Sequence, residues 1–144
     1  MGVRSLDKGL AAKRTIIETF HSTKSQIDVW ALEMESIPSV QFFASRCQDL
    51  DRLDALLLNA GMTTMTWRQV GGVETTLLTN VLSRILLSLL LIPVLRHTAQ
   101  ALDTKPCISM VVSESHFVAE FREKAEPDVL RALNTSSIAN MSDR

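Results

Sequence analysis

The sequence predicts an α/β fold built on a partial, doubly wound parallel sheet, with a single incomplete domain over residues 1–144. Two observations support this prediction. Apolar runs of strand length alternate with segments of helical pattern, and one such run, residues 53–58, ends in Asn59-Ala60-Gly61. A short apolar run bounded by turn residues is typical of a strand buried on both faces. Parallel sheets bind ligands past the carboxyl ends of their strands, so we expect a binding site after residue 58.

Composition excludes several classes of function. The 144 residues are 46% hydrophobic and 22% charged, and 15 basic against 16 acidic residues give a net charge of −1. No bulk field therefore favours nucleic acid. Cys47 and Cys107 have no metal-site spacing and His21, His97 and His116 form no cluster, so we predict no metal site. Both cysteines are predicted to be buried thiols in a reducing, cytoplasmic compartment.

The first residues lack the apolar stretch of a secretory signal. The most apolar run, residues 85–95, is interrupted by Pro93. It is shorter than the roughly 20 residues that a membrane-spanning helix needs. The sequence therefore predicts a buried helix and no membrane association, and a membrane-associated helix is the disfavoured alternative on grounds of length.

The first half of the chain predicts a helix, a strand and a second helix. The first helix covers residues 5–22 and is capped by Ser5 or Asp7. Residues 27–32 alternate between polar and apolar at first and are then continuously apolar. This pattern predicts a strand that enters the core. Ser36 caps the second helix, with Pro38 in its first turn. The side chains expected to face inward from this helix are Val40, Phe43 and Leu50.

The second half centres on a long apolar helix. After the strand at 53–58, residues 63–70 are predicted as a loop and Gly71-Gly72 as a break before a helix over 73–102. Pro93 should kink or divide that helix. Since the helix is apolar on more than one face, its own sheet and a further body, such as a second subunit, should cover it.

A strand over 107–112 and a short helix over 126–133 complete the pattern, and residues 140–144 have no evident partner. The element order is helix, strand, helix, strand, long helix, strand. Such alternation predicts right-handed crossovers and one parallel sheet. This sheet would begin with a helix rather than a strand.

The triplet Asn59-Ala60-Gly61, followed by Asn80 on the long helix and Ser113 at the end of the last strand, resembles the short-chain dehydrogenase/reductase family. The similarity extends over nearly the whole chain and is closest to the branch common in fungal secondary metabolism. The resemblance implies a Rossmann-like fold. It also implies an enzyme that transfers a hydride between NADP and a small carbonyl or alcohol substrate.

The resemblance also implies which residues bind the cofactor. Asn59, Ala60 and Gly61 match the motif that borders the adenine ribose and the nicotinamide. Arg4 matches the arginine that reads the 2′-phosphate of NADP. Glu33 stands where the family usually has an aspartate that touches the adenine. Taken singly, Arg4 is equally consistent with a surface charge, Glu33 is more typical of a solvated carboxylate after a strand than of a ligand contact, and Asn59 is consistent with a turn.

Asn80 and Ser113 match the asparagine and the serine of the family's catalytic tetrad. Taken singly, Asn80 fits the polar face of a helix and Ser113 a cap at a strand end. The family pattern fails elsewhere, because the chain has no Gly-x-x-x-Gly-x-Gly loop and no tyrosine at all. Carbonyl reduction requires a proton donor at the carbonyl oxygen, and a serine hydroxyl is a poor one.

We therefore expect a chain truncated at both ends, which lacks the first strand, the phosphate loop and the Tyr-x-x-x-Lys helix. Asn80 and Ser113 would then be vestigial, and the chain would be an inactive relative of NADP-dependent reductases. The alternative hypothesis is a non-enzymatic interaction module. In that case the 73–102 helix would pair with a full-length relative or a second copy.

Overall fold

The computed structural model describes residues 1–20 and 26–143, in which short strands alternate with helices. The strands are β1 Gly2–Val3, β2 Trp30–Ala31, β3 Ala55–Leu58, β4 Gln69–Val70, β5 Val73–Glu74 and β6 Cys107–Met110. The helices are α1 Leu6–Phe20, α2 Ile37–Gln48, α3 Thr75–Leu102 and α4 Val129–Leu133. Single 3₁₀ turns cover Glu114–Phe117, Arg122–Ala125 and Met141–Asp143.

The described strands form three separate pairs rather than one sheet. β1 lies parallel to β2, and β3 lies parallel to β6 with Ala55 opposite Cys107 and Leu58 opposite Met110. β4 and β5 are antiparallel. The predicted α/β class with parallel strands is confirmed, whereas the prediction of one parallel sheet is wrong. No described strand joins the β1–β2 pair to the β3–β6 pair.

Local turn geometry explains two corrections in the centre of the chain. Gly71 and Gly72 have φ of +58° and +80°, which is the backbone of a two-residue hairpin turn. Val73–Glu74 therefore pairs with Gln69–Val70, so the predicted 63–70 loop ends in a strand. The long helix begins at Thr75. The prediction that the chain opens with a helix is also wrong, because β1 precedes α1.

The predicted starts of α1 and α2 are confirmed by their caps. The Oγ of Ser5 accepts the N–H of Lys8 at 3.4 Å, and the Oγ of Ser36 accepts the N–H of Ser39 at 3.3 Å. Pro38 lies in the first turn of α2, as expected. The predicted end of α1 at residue 22, together with His21, lies outside the described residues.

α3 continues through Pro93 to Leu102, so of the two predicted effects of Pro93 the division of the helix is wrong, and the kink stays a prediction. Asp103, with φ of +48°, ends it. By length and composition alone, this 28-residue helix could cross a membrane, and 44% of its most apolar window is buried in the protein. Two buried hydroxyls tie it to the rest of the fold: Ser83 donates to Met34 O at 2.6 Å, and Thr98 accepts the N–H of Leu53 at 2.8 Å. Such contacts are typical of a core helix, and the absence of a membrane partner stays a prediction.

The core lies where α2 and α3 pack over β3. Its buried members are Met34, Val40, Ala44, Cys47, Leu58, Leu87, Leu91 and Val94, with Phe43 and Leu50 partly buried beside them. The inward-facing positions predicted for α2 are thus confirmed for Val40 and Phe43, whereas Leu50 packs against the core from beyond the end of α2 at Gln48. The opposite stripe of α3, made of Val81, Ile85 and Leu89, is exposed. Within the described chain, α3 is therefore covered on its inner face only.

The two cysteines differ, since Cys47 is buried and Cys107 is exposed. The prediction of two buried thiols is therefore wrong for Cys107. This residue lies on β6, whose one described neighbour is β3.

The C-terminal residues pack back on the chain, contrary to prediction. The N–H of Asn140 donates to Glu123 Oε1 at 2.7 Å, and the N–H of Phe121 donates to Asp143 Oδ2 at 3.1 Å. Sequence reasoning missed these contacts because the paired residues lie far apart along the chain. The predicted 126–133 helix is shorter, beginning at Val129 after a side-chain cap from Asp128.

Burial of the Cys47 thiol makes stability depend on pH. Burial raises the pKa of this thiol and Arg46 opposes the effect, so the unfolded chain loses the proton at lower pH than the folded chain. The free energy of unfolding should fall as pH rises above the ordinary thiol pKa of about 8.5. Urea unfolding measured across that pH range should show that the free energy of unfolding falls more steeply with pH in the native sequence than in Cys47→Ala. Equal slopes would contradict this expectation.

Candidate functional site

Two clefts lie beside residues that the sequence singles out. The first, which we name the sheet cleft, measures about 540 Å³ and lies between the β1–β2 and β3–β6 pairs. The second, which we name the edge cleft, measures about 690 Å³ and lies beyond the end of β6. Residues that line the sheet cleft include Gly2, Trp30, Leu57, Asn59, Ala60 and Arg84. Those that line the edge cleft include Asn80, Ser113, Ser115, His116, Asn140 and Asp143.

Asn80 fixes the turn that follows β3. Its Nδ2 donates to Met62 O at 2.8 Å, and its Oδ1 accepts the N–H of Met62 at 2.9 Å. A Cβ on Gly61 would lie 3.4 Å from Asn80 Oδ1, which is ordinary van der Waals contact, so Gly61 passes close beside this side chain. The side-chain amide therefore holds the segment after Asn59 and Ala60 against α3.

The backbone around Asn80 departs from a regular α-helix. α3 begins with an α-helical turn at Thr75–Leu77, widens to a π-helical turn at Leu78–Leu82 and then continues as an α-helix. The buried Oγ1 of Thr79 in this turn has no hydrogen-bond partner among the described residues. π-Helical turns inside α-helices are frequent at functional sites.

Ser113 lies at the rim of the edge cleft and starts a 3₁₀ turn. Its Oγ donates to Ser115 Oγ at 2.9 Å and accepts the N–H of Ser115 at 3.1 Å. Nδ1 of His116 lies 2.6 Å from Ser113 O. The fold thus brings Ser113 and Asn80 to one cleft and adds a second hydroxyl and an imidazole. These groups can donate and accept hydrogen bonds to a polar small molecule.

The residues predicted to bind the cofactor are divided among different places. Asn59 and Ala60 line the sheet cleft, and Gly61 lies beside Asn80. Arg4 follows β1, is exposed, and has no ion pair within residues 1–20 and 26–143. Glu33 follows β2, where its Oε1 accepts the N–H of Glu35 at 3.2 Å. The structure places neither charged residue in the lining of the two clefts.

Sequence reasoning missed Arg84. Its Nη2 donates to Leu58 O at 2.6 Å and also to Val111 O, and the residue is 6% exposed. This guanidinium therefore joins β3 to the chain just after β6 and helps to set the position of Asn59. An arginine inside an apolar run was the available signal, because a buried charge needs partners.

Sequence reasoning also missed the other residues that line the edge cleft. Ser115 and His116 follow Ser113 directly, so their position after a strand was a usable signal. Buried Glu123 and Asn140 meet only through the tertiary fold. No group of three or more His, Cys, Asp or Glu among the described residues is arranged to hold a metal ion.

Replacing Asn80 with alanine should release the turn after β3. Both hydrogen bonds to Met62 would be lost, at a cost of about 1–3 kcal/mol in unfolding free energy. The Met62 amide should then exchange with solvent much faster in NMR hydrogen-exchange measurements. Asn80→Asp is the control, because its carboxylate still accepts that N–H. An equally protected Met62 amide in Asn80→Ala would show that the side chain does not hold the turn.

The fold is α/β, and the edge cleft lies past the carboxyl end of the parallel strand β6, where proteins of this class bind their ligands. The short chain dehydrogenase FGM9 of Gibberella zeae is 33% identical over 144 residues, which are 100% of this chain and 42% of that protein. The short chain dehydrogenase atnD of Emericella nidulans is 37% identical over 148 residues, covering 100% of this chain and 46% of that protein. The chain belongs to the short-chain dehydrogenase/reductase family.

Other comparisons agree at lower coverage. The short chain dehydrogenase virL of Hypocrea virens is 43% identical over 117 residues, covering 79% of this chain and 34% of that protein. The crystal structure of an uncharacterized protein from Mycobacterium paratuberculosis has a TM-score of 0.61 at 24% identity, over 86% of this chain and 40% of that one, and supports the fold alone. No family model matches the sequence. The chain spans less than half the length of these relatives.

Proposed function

We propose that this chain carries one part of the active site of an NADP-dependent short-chain dehydrogenase/reductase. The substrate class is a small carbonyl or alcohol, the setting is fungal secondary metabolism, and the compartment is the cytoplasm. By itself the chain is inactive. The observation that supports this proposal most directly is that Asn80 and Ser113 line one cleft.

The geometry fits a site that orients a substrate oxygen but does not protonate it. Ser113 offers a hydroxyl at the rim of the edge cleft, and Asn80 holds the turn that carries Asn59. Hydride transfer to a carbonyl also needs an acid at the oxygen, and removal of such a group costs roughly 10²–10⁴-fold in rate. The 144 residues contain no tyrosine, so the phenol that the family uses must be supplied from elsewhere.

The proposed binding of NADP depends on Arg4 and on Asn59 and Ala60, which line the sheet cleft. Bound NADPH would supply the hydride, and Arg4 is free to meet its 2′-phosphate because this guanidinium is exposed and has no ion pair within the described chain. Asn59 and Ala60 line the neighbouring sheet cleft, within reach of a ligand at the strand ends. The missing contribution is a set of backbone N–H groups for the pyrophosphate.

The proposal is tested in a chimera of this chain with a full-length relative. Residues 1–144 would replace the aligned part of the Emericella nidulans protein, and NADPH oxidation would be followed with small aldehydes and ketones. We expect turnover by the chimera and none by the 144-residue chain alone. Ser113→Ala in the chimera should lower kcat/KM by about 10²-fold, whereas Ser45→Ala on α2 should not change it. A folded chimera without turnover, or an active 144-residue chain, would overturn the proposal.

The same chimera tests the choice of cofactor. Arg4→Ala should raise KM for NADPH and leave KM for NADH unchanged, because only NADPH carries the 2′-phosphate. Arg14→Ala, an exposed arginine on α1, is the matched control. An equal effect on the two cofactors would remove the support for NADP.

The exposed stripe of Val81, Ile85 and Leu89 supports an oligomer contact through α3. We place this contact within the oxidoreductase proposal rather than in a separate interaction module, since the similar proteins are dehydrogenases by name. Light scattering on the purified chain is the measurement. Ile85→Glu should shift the mass to that of a monomer, and a monomeric native chain would contradict the contact.

A further inference from the structure

His116 lies in the edge cleft beside Ser113, and its contacts determine which of its ring nitrogens carries the proton. Nδ1 lies 2.6 Å from the backbone oxygen of Ser113. A carbonyl oxygen only accepts hydrogen bonds, so the proton of the neutral imidazole is on Nδ1. Nε2 then has a lone pair and no proton. It is therefore a hydrogen-bond acceptor on the lining of the cleft.

Two contacts hold this imidazole in place. The first is the hydrogen bond from Nδ1 to Ser113 O, and the second is the stacking of the ring on Phe117, with the ring centroids 3.9 Å apart. Ser113 caps the 3₁₀ turn Glu114–Phe117 that carries His116. A ligand group bound at Nε2 would therefore lie close to a ligand group bound at the Ser113 hydroxyl.

The serine hydroxyls and the imidazole bind different partners. The Oγ atoms of Ser113 and Ser115 lie 2.9 Å apart, and hydroxyls of this kind can donate to a carbonyl oxygen. Nε2 of His116 instead needs a donor, which a hydroxyl of the ligand supplies. The polar lining thus fits a ligand that has a carbonyl and a hydroxyl side by side.

The charges of the edge cleft restrict the ligand further. Glu123 and Asp143 line it, and their carboxylates accept the N–H groups of Asn140 at 2.7 Å and of Phe121 at 3.1 Å. Among the described residues that line this cleft, none is a lysine or an arginine. Because like charges placed close together are costly, this lining disfavours a ligand that carries a carboxylate or a phosphate.

The remaining lining is apolar and accommodates the body of the ligand. Phe121, Leu133, Ala119 and Val112 contribute to it. The volume of about 690 Å³ is within the range of cavities that take a small organic molecule. An aromatic ring attached to the carbonyl carbon would find both the space and an aromatic neighbour, Phe121.

We propose that the edge cleft selects uncharged carbonyl substrates with a hydroxyl on the carbon next to the carbonyl, and that His116 is the specificity-determining residue. Nε2 of His116 accepts the hydrogen bond of that hydroxyl, while the serine hydroxyls bind the carbonyl oxygen. This inference rests on the proposed function, since it takes Ser113 as the residue that binds the substrate oxygen.

Three matched phenyl ketones test the selection in the chimera described above. α-Hydroxyacetophenone has a hydroxymethyl group next to the carbonyl, acetophenone has a methyl group there, and phenylglyoxylate has a carboxylate. We expect kcat/KM with NADPH to fall in that order, by about tenfold at each step. Equal kcat/KM for the first two ketones, or the highest value for phenylglyoxylate, would overturn the inference.

Variants of His116 separate hydroxyl recognition from a general effect on Ser113. His116→Phe keeps a ring next to Phe117 but has no acceptor, so the ratio of kcat/KM for α-hydroxyacetophenone over acetophenone should fall to about one. His116→Gln supplies a side-chain carbonyl and should restore most of the preference. His97→Phe, at an exposed position on α3, is the matched control and should leave the ratio unchanged. A loss of activity toward both ketones with an unchanged ratio contradicts the assigned role.

A binding measurement on the 144-residue chain does not depend on turnover. In NMR spectra of the histidine side chains, the Nε2 resonance of His116 should move upfield when α-hydroxyacetophenone is added, because the nitrogen then accepts a hydrogen bond. Acetophenone at the same concentration should leave it in place. A chimera inactive toward both ketones would overturn the proposed function, whereas this titration would still decide the present inference. An Nε2 resonance that stays fixed in saturating α-hydroxyacetophenone would overturn it even if the chimera is active.

Discussion

Leu91→Ala should lower the free energy of unfolding by about 2–5 kcal/mol. Leu91 is 0% exposed and lies in the core between α2, α3 and β3. Truncation removes buried methyl groups and leaves a cavity in a region where neighbouring elements are tied by hydrogen bonds from Ser83 and Thr98. Domains of this size have only about 5–15 kcal/mol of stability, so the loss should be plain in urea unfolding.

Leu102→Ala is the control on the same helix, because Leu102 lies outside the exposed stripe of Val81, Ile85 and Leu89. Leu102 is 43% exposed, and leucine and alanine have similar helix propensities, so the loss of unfolding free energy in Leu102→Ala should stay within about 0.5 kcal/mol. A similar loss for both variants would mean that burial of Leu91 does not determine the cost. A negligible loss for Leu91→Ala would contradict the packing of α2 on α3.

The helices were predictable from sequence because their signals are local. Ser36 and Pro38 mark the start of α2 whatever lies around them, and the apolar residues of α3 repeat at helical spacing. The sheet was not predictable in the same way. Strand pairing depends on which edges meet in space, and β1 and β2 are only two residues each. A pattern of alternating elements therefore predicted one sheet where the described strands form separate pairs.

The candidate site was predicted in part for the same reason. Short motifs on a helix and at the end of a strand predicted Asn80 and Ser113 as site residues. The fold places both in the lining of one cleft. Arg84 and Glu123 act through tertiary contacts with carbonyls and N–H groups distant in sequence. No local pattern specifies such partners. Arg4 and Glu33 are placed at the ends of β1 and β2, outside both cleft linings, so their roles stay predictions.

Glu74→Ala should also be strongly destabilising, because Glu74 caps the helix that carries Asn80. The residue is 0% exposed, and its carboxylate accepts the N–H groups of Thr76 and Leu77, each at 2.9 Å, as well as the hydroxyl of Thr76. Loss of a side-chain cap costs about 0.5–2 kcal/mol, and each buried donor left without an acceptor adds about 1–3 kcal/mol. We therefore expect a loss of at least about 3.5 kcal/mol in urea unfolding, from the lower limits for one cap and three donors.

Glu74→Gln separates the effect of the helix cap from the effect of the negative charge. Its amide oxygen still accepts one or both N–H groups, so this variant should recover part of the unfolding free energy that Glu74→Ala loses. Glu18→Ala, at an exposed position on α1, should stay within about 0.5 kcal/mol of the native chain. Fraying should spread along α3 to its π-helical turn, so that faster exchange of the Met62 amide accompanies the loss of stability. If Glu74→Ala lost stability without any change at Met62, the cap and the Asn80 clamp would be independent. The start of α3 would then not control the geometry of the edge cleft.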